Sequence, residues 1–428
     1  MAAAIALLAR AQSTAISGRV VADVQLLHIR YEAGRRRLVP AGGAARVTDD
    51  LGRYRLYALP PGQYAVSATI GDVGSADLPN YTRSYFPGTP NASEARFVSI
   101  GASEDLVGID FSMARTQTAR VAGKMVDSAG APTTGGTVQL MPSQRSTSVI
   151  SVPIGARILP DGQFEFANVA PGAYVIQAYR GRSKGWIEGE FGTLPVSVNS
   201  ADLTGLILHT SSGSSITGRV TFDTFNGSKP PAASAIELSP IPIDFDLSPP
   251  NNWAVAEIHT DWSFDIEGVN GPRRLQLTRV PPGRALKEIR VNRLDATDRP
   301  LPFGRTDQSL SGVEVVLTDR ISEVSGTIAD VGAKPVAGAR LVVFSIDRDR
   351  WYPASRYVRT AAAGSDGAFT LSGLPFGTYY AAAVARLPAE GEDAWRDPAF
   401  LESLRSRAST VTLGEAQKIS LSLRLAER

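Results

Sequence analysis

Residues 161–178 read DGQFEFANVAPGAYVIQA. Three signals sit in this stretch: Asp161-Gly162, the aromatic Phe164, and Pro171-Gly172 just ahead of Tyr174. Asp-Gly supplies the positive φ that a tight hairpin turn demands, so the aromatic that follows begins a strand. Pro before Gly suits a type II turn, with φ fixed by the first residue and the left-handed slot taken by the second. Tyr174 then opens another strand, with Ile176 and Ala178 on its inward side.

The pattern is repeated. Gly52-Arg53-Tyr54, Asp261-Trp262-Ser263-Phe264 and Asp366-Gly367-Ala368-Phe369 match the first signal, and the aromatics recur at spacings of 110, 100 and 105 residues. PPGQY ending at Tyr64 and PFGTY ending at Tyr379 match the second. Upstream of each turn lies an apolar-x-Gly-x-apolar strand: Ile16, Gly18, Val20; Val121, Gly123, Met125; Ile216, Gly218, Val220; Val324, Gly326, Ile328. Their alternation is that of a half-buried strand, and a central glycine marks a close approach by a neighbour. A closing pair of strands ends the unit: Val98, Ile100 then Ile109, Phe111; Val196, Val198 then Leu206, Leu208; Val411, Leu413 then Ile419, Leu421. The third copy is the outlier. It lacks the tyrosine and carries a proline-rich insert from Lys229 to Pro250, and Pro281-Pro282-Gly283 is a candidate replacement for the lost turn.

The expected fold is all-β, a tandem array of four Ig-like β-sandwiches over 16–115, 116–213, a divergent 214–319, and 320–428. Short joints at 114–120, 209–215 and 318–323 suggest a semi-rigid rod or gently bent string, on the order of 100 Å or more for four compact units in line. One helix is expected, in the last unit, where Asp397 is an N-cap, Pro398 the first helical residue, and Leu401, Leu404 and Ala408 share a face.

Composition agrees and excludes much. Forty glycines and 28 prolines punctuate a chain that is still 43% apolar, as in a turn-rich folded protein. There is no cysteine, which removes disulfides, thiolate metal sites and cysteine nucleophiles. A net charge of +2 falls far short of a nucleic-acid-binding surface, and Arg35-Arg36-Arg37 reads as a short solvated loop. No segment reaches the roughly 20 apolar residues of a membrane span. Ala2 to Ala9 followed by Ala9-Arg10-Ala11 resembles a truncated signal peptide over 1–15 with cleavage before Gln12, so the expected location is exported: periplasmic, cell-surface or extracellular.

The order of apolar-Gly strand, Asp-Gly-x-aromatic turn and Pro-Gly-x-Tyr resembles the carboxypeptidase regulatory-like domain, which implies a transthyretin-like (prealbumin-like) sandwich, grouped with carbohydrate-binding-like folds. The segment Phe344 to Arg356 and the DPAFLESL helix are similar to the end of multi-repeat bacterial members. The resemblance implies a secreted, non-catalytic accessory module of the kind appended to a peptidase or an outer-membrane receptor.

No catalytic, metal or cofactor site is expected. His28, His209 and His259 lie in different stretches, and none begins a His-x-x-Glu pair. Gly181-Arg182-Ser183-Lys184-Gly185 fits a nucleophile elbow in letters, but no helical period follows it. Asp244/Asp246 and Asp347/Asp349 read as solvated loop charges. Lys124 has outward parity and cannot form an isopeptide cross-link. Sugar binding asks for exposed aromatic faces beside planar polar groups. Trp351 and Tyr352 with Arg348, Arg350 and Arg356 are the best constellation of that kind, and Trp186 is second. The expected partner is therefore a polysaccharide or a cell-envelope protein met by sandwich-end loops. The alternatives are a structural spacer without a ligand, or an accessory subunit.

Overall fold

The four copies become paired β-sheets in a computed structural model of the chain, which describes residues 15–19, 22–32, 35–41, 46–70, 81–102, 104–113, 115–133, 135–143, 153–156, 158–180, 189–225, 227–249, 254–388 and 393–425. The protein is all-β, with one short α-helix among the described residues. In the second copy one sheet has the order Gln163–Val169, Ala119–Val126, Leu203–His209, and the other Ile154–Ala156, Thr137–Pro142, Gly172–Arg180, Glu190–Val198. The fourth copy repeats both orders strand for strand: Ala368–Ser372, Glu323–Ala329, Lys418–Arg424, and Val358–Ala362, Arg340–Ser345, Gly377–Val384, Ser409–Leu413. The first copy keeps the three-strand sheet as Arg53–Tyr57, Ala15–Arg19, Asp105–Leu106. The third departs. Its first sheet grows to six strands by adding Glu257–Ile258, Ala285–Val291 and Leu294–Asp295, and its second shrinks to Glu237–Pro242 and Arg273–Arg279.

Register explains the repeat signature. The central glycine of each apolar strand lies opposite the aromatic after the turn: Gly18 with Tyr54, Gly123 with Phe164, Gly218 with Phe264, Gly326 with Phe369. A Cβ on Gly123 would stand 2.5 Å from the Leu206 carbonyl oxygen and 2.8 Å from the Phe164 ring. The aromatic thus covers backbone that the glycine leaves bare, while the neighbouring strand approaches too closely for any side chain.

The turns divide into two outcomes. Gly52, Gly162 and Gly367 take φ of +72°, +82° and +73°, as a tight turn demands, and the third copy puts Trp262 there at +63°. That residue packs edge-on against Phe222 at 5.6 Å, and its indole N–H donates to the Pro231 carbonyl at 3.2 Å, tying down the insert. The Pro-Gly turns differ from the expected type II form. Gly62 and Gly172 begin strands and are not left-handed. Tyrosine explains the motif instead: Tyr64 and Tyr379 donate their hydroxyls to the carbonyls of Pro60 and Pro375 at 2.6 and 2.7 Å, a tyrosine corner. Pro281-Pro282-Gly283 does form the type II turn, with Arg284 N donating to Pro281 O at 3.1 Å and Gly283 at φ +76°.

The closing strands do not pair with each other. Glu190–Val198 ends the second sheet and Leu203–His209 crosses to the first, where it runs parallel to the glycine strand. This crossover closes the sandwich around a separate core in each copy.

The second sheets are also buried on their outer faces. In the fourth copy the helix Pro398–Leu404 covers that face, its Leu401 and Leu404 packed on Val342, Phe344 and Trp351. Asp397 caps it by accepting from Ala399 N at 2.7 Å. In the second copy the cover comes from the third: Gln177, with 0% exposure, donates to the carbonyl of Phe245 at 2.6 Å, and Thr193 to that of Asp246 at 2.8 Å.

Packing of this kind overturns the in-line rod. Arg35-Arg36-Arg37 is the start of the strand Arg35–Pro40 and not a solvated loop, and Arg36 Nε stands 3.3 Å from Asp397 Oδ2 at the helix of the fourth copy. First and last sandwiches therefore touch, through a polar contact at the helix of the fourth copy.

Candidate functional site: the junction of the third and fourth sandwiches

The loop between Arg340–Ser345 and Val358–Ala362 carries most of the residues singled out for sugar binding. Asp347 accepts from Asp349 N at 3.0 Å and so starts the turn Arg348–Arg350. Trp351 is 6% exposed, which corrects its reading as a platform. Its indole N–H donates to the Ser345 carbonyl at 2.7 Å, and its ring meets Phe344 edge-on at 5.4 Å. Arg348 pairs with Glu402 on the helix, and Arg350 pairs with Asp347 at 3.3 Å while lying over the Tyr357 ring. Neither faces a free aromatic surface.

Tyr352 and Arg356 turn the other way, onto the third sandwich. Both close on Asp298, which sits at φ +60° in the turn before Arg299. Tyr352 donates to Oδ1 at 2.8 Å, and Arg356 Nε and Tyr357 OH reach Oδ2 at 3.0 and 3.1 Å. Arg356 Nη1 also donates to the Leu286 carbonyl at 2.9 Å. Arg274 donates to the Asp298 carbonyl at 2.7 Å and lays its guanidinium over the Tyr352 ring, 3.7 Å from the centroid. Burial pushes the Tyr352 hydroxyl up, and the nearby Asp298 charge pushes it further. Burial opposes the Arg356 charge, yet Asp298 outweighs it and holds the guanidinium above its ordinary value. The cluster is a polar clamp between two repeats.

Beside the clamp lies a cleft of about 250 Å³. Gln276 and the Pro281-Pro282-Gly283 turn line it from the third sandwich, Arg356, Arg359 and Ser372 from the fourth. Strand parity places Gln276 there, since Arg274 on the same face meets the fourth sandwich while Leu275 faces the third core.

The remaining candidates are placed as follows. Trp186 and the Gly181–Gly185 stretch lie outside the described residues, as does the signal-like segment up to residue 14. Asp246 is buried and accepts from Ser143 Oγ at 2.7 Å, so it docks the third sandwich on the second and is not a solvated loop charge. Among the described residues no group of three His, Asp or Glu could hold a metal ion, and no helix is long and apolar enough to cross a membrane. Sequence reading missed Asp298, Arg274, Gln276 and Arg359. The one available signal was the excess of arginine between 348 and 359, which needed an acid from elsewhere.

Fold and junctions together define a tandem β-sandwich protein with interlocked repeats. No family model matches the chain, and no curated protein matches its sequence. Solved structures do. The Bacillus anthracis TIE protein is 10% identical over 94% of this chain and 67% of its own, with a TM-score of 0.18. A streptococcal ancillary pilin is 11% identical over 71% of this chain and 98% of its own, at 0.21. A Pseudomonas aeruginosa protein, provisionally described as carbohydrate-binding, is 18% identical over 22% of this chain and 88% of its own, at 0.17. At these scores the superpositions carry no functional argument.

Proposed function

We propose that this chain is a non-catalytic, exported scaffold of the carboxypeptidase regulatory-like kind, whose sandwiches are fixed to one another. The observation behind this reading is how the loop side chains are used. Tyr352, Arg356 and Tyr357 close on Asp298, and Gln177 and Thr193 close on the loop at 245–248, so polar groups at sandwich ends and faces hold the next repeat. A frame locked in this way suits reach and presentation, because inter-domain motion is the default unless the interface opposes it. A second reading, binding of a polysaccharide or cell-envelope partner, is favoured by the cleft, where an amide, guanidinium groups and an apolar wall meet.

Three measurements test this. Fractionation of producing cells should find the protein outside the cytoplasm, and retention in the cytosol would overturn export. A pull-down on envelope polysaccharides should retain it, and no retention at high protein concentration would leave only the scaffold. Turnover of a peptide, ester or glycoside panel would sink the non-catalytic reading.

A further inference from the structure

We infer that the cleft between the third and fourth sandwiches binds a hydroxylated carboxylate, the chemistry shared by a uronic acid ring and a free sugar acid. The inference deepens the carbohydrate-binding reading above and rests on it. Size is the first argument. At about 250 Å³ the cleft falls just below the roughly 300 Å³ at which pockets for drug-sized ligands begin, which limits the occupant to one ring-sized molecule.

Charge is the second. Three arginines and one acid, Asp298, line the cleft, and two of the arginines are committed. Arg356 is held by Asp298, and Arg284 stands 3.8 Å from Asp319 while donating to Ser228 and Lys229. Arg359 has no ion pair or hydrogen bond for its guanidinium among the described residues. Burial pushes its pKa down, so the charge is partly desolvated, and among the described residues no carboxylate pairs with it. A planar guanidinium in that state suits a carboxylate.

Hydrogen bonding is the third. Gln276 is only 7% exposed, and both its amide nitrogen and its amide oxygen are buried without a partner among the described residues. Buried polar atoms in folded proteins are nearly always satisfied, and an amide needs an acceptor and a donor at once. A hydroxyl group is both. Pro281 and Pro282 complete the lining with the apolar surface that a sugar's C–H face requires.

Titration calorimetry of the full chain tests the assignment, with D-glucuronate, D-gluconate, D-glucose and acetate as probes. Glucuronate or gluconate should bind in the millimolar range or tighter, and glucose and acetate at least about tenfold more weakly. Arg359→Gln should weaken the acid by about tenfold and erase its advantage over glucose. Gln276→Leu should weaken it by a similar factor while the thermal transition stays or rises, because both unpaired atoms are removed together. A galacturonate trimer binding more tightly than the monomer points to an acidic polysaccharide, and tighter gluconate points to a free sugar acid; either supports the site. No binding of either acid at millimolar concentration, or binding that neither variant changes, overturns it. If polysaccharide retention persists in that case, the cleft assignment alone has failed.

Discussion

Asp298 gathers more of the tertiary structure than any other residue at the third junction. Its carboxylate accepts from Tyr352, Arg356 and Tyr357 in a partly buried position. Removing one partner of such a pair leaves an uncompensated charge, so Asp298→Ala should cost about 3–5 kcal/mol. Calorimetry should show one transition for the third and fourth sandwiches in the wild type and two in the variant; an unsplit transition would mean the clamp does not couple them. Tyrosines make a second prediction at this scale. Burial, helped at Tyr31 by the Asp397 carboxylate and at Tyr174 by Tyr85, pushes both hydroxyls up to about 12, and Tyr54 and Tyr379 are pushed up as well. Between about pH 10, where the unfolded phenol titrates, and these folded values, the unfolded chain loses protons that the folded one keeps. The stability they contribute is present in full below about pH 10 and is lost as pH rises toward 12. Tyrosinate absorbance should therefore grow together with loss of β circular dichroism, and tyrosinate forming in a still-folded protein would refute this.

At the scale of elements the central device is the glycine strand set against its aromatic. A Cβ on Gly218 would lie 2.0 Å from the Val313 carbonyl oxygen and 2.7 Å from the Phe264 ring. Backbone cannot yield as a side chain does, so Gly218→Ala should lose at least about 2 kcal/mol in urea unfolding, and a neutral result would deny the close approach. This device was legible in the residues, because glycine at a fixed place in four alternating strands signals an approaching neighbour. Its partner was not. Which residue faces Gly123 is set by register between strands some 40 residues apart, and local alternation says nothing of that. Pro-Gly-x-Tyr misled for a related reason: the letters fit a type II turn, but Gly62 and Gly172 begin strands without a positive φ, and Tyr64 reaches the carbonyl four residues back.

For the whole molecule the prediction is compactness. With Arg36 at Asp397, Gln177 under the loop of the third sandwich, and Arg356 at Asp298, solution scattering should give a maximum dimension well below the roughly 100 Å of four units in line. An extended profile of that length would refute the contact between first and last sandwiches.

Alternation, turn chemistry and a repeat near 100 residues were enough to show a chain of β-sandwiches with one capped helix in the last of them, because those features depend on neighbours a few residues away. The covering of each second sheet, the burial of Trp351 and the convergence of Tyr352, Arg356 and Tyr357 on Asp298 were decided by tertiary structure alone. A tryptophan among arginines looks the same in sequence whether its face meets a sugar or a leucine. Only the folding of the helix back onto its own sheet selects between them, since burial is a property of the surface left uncovered and not of the residue.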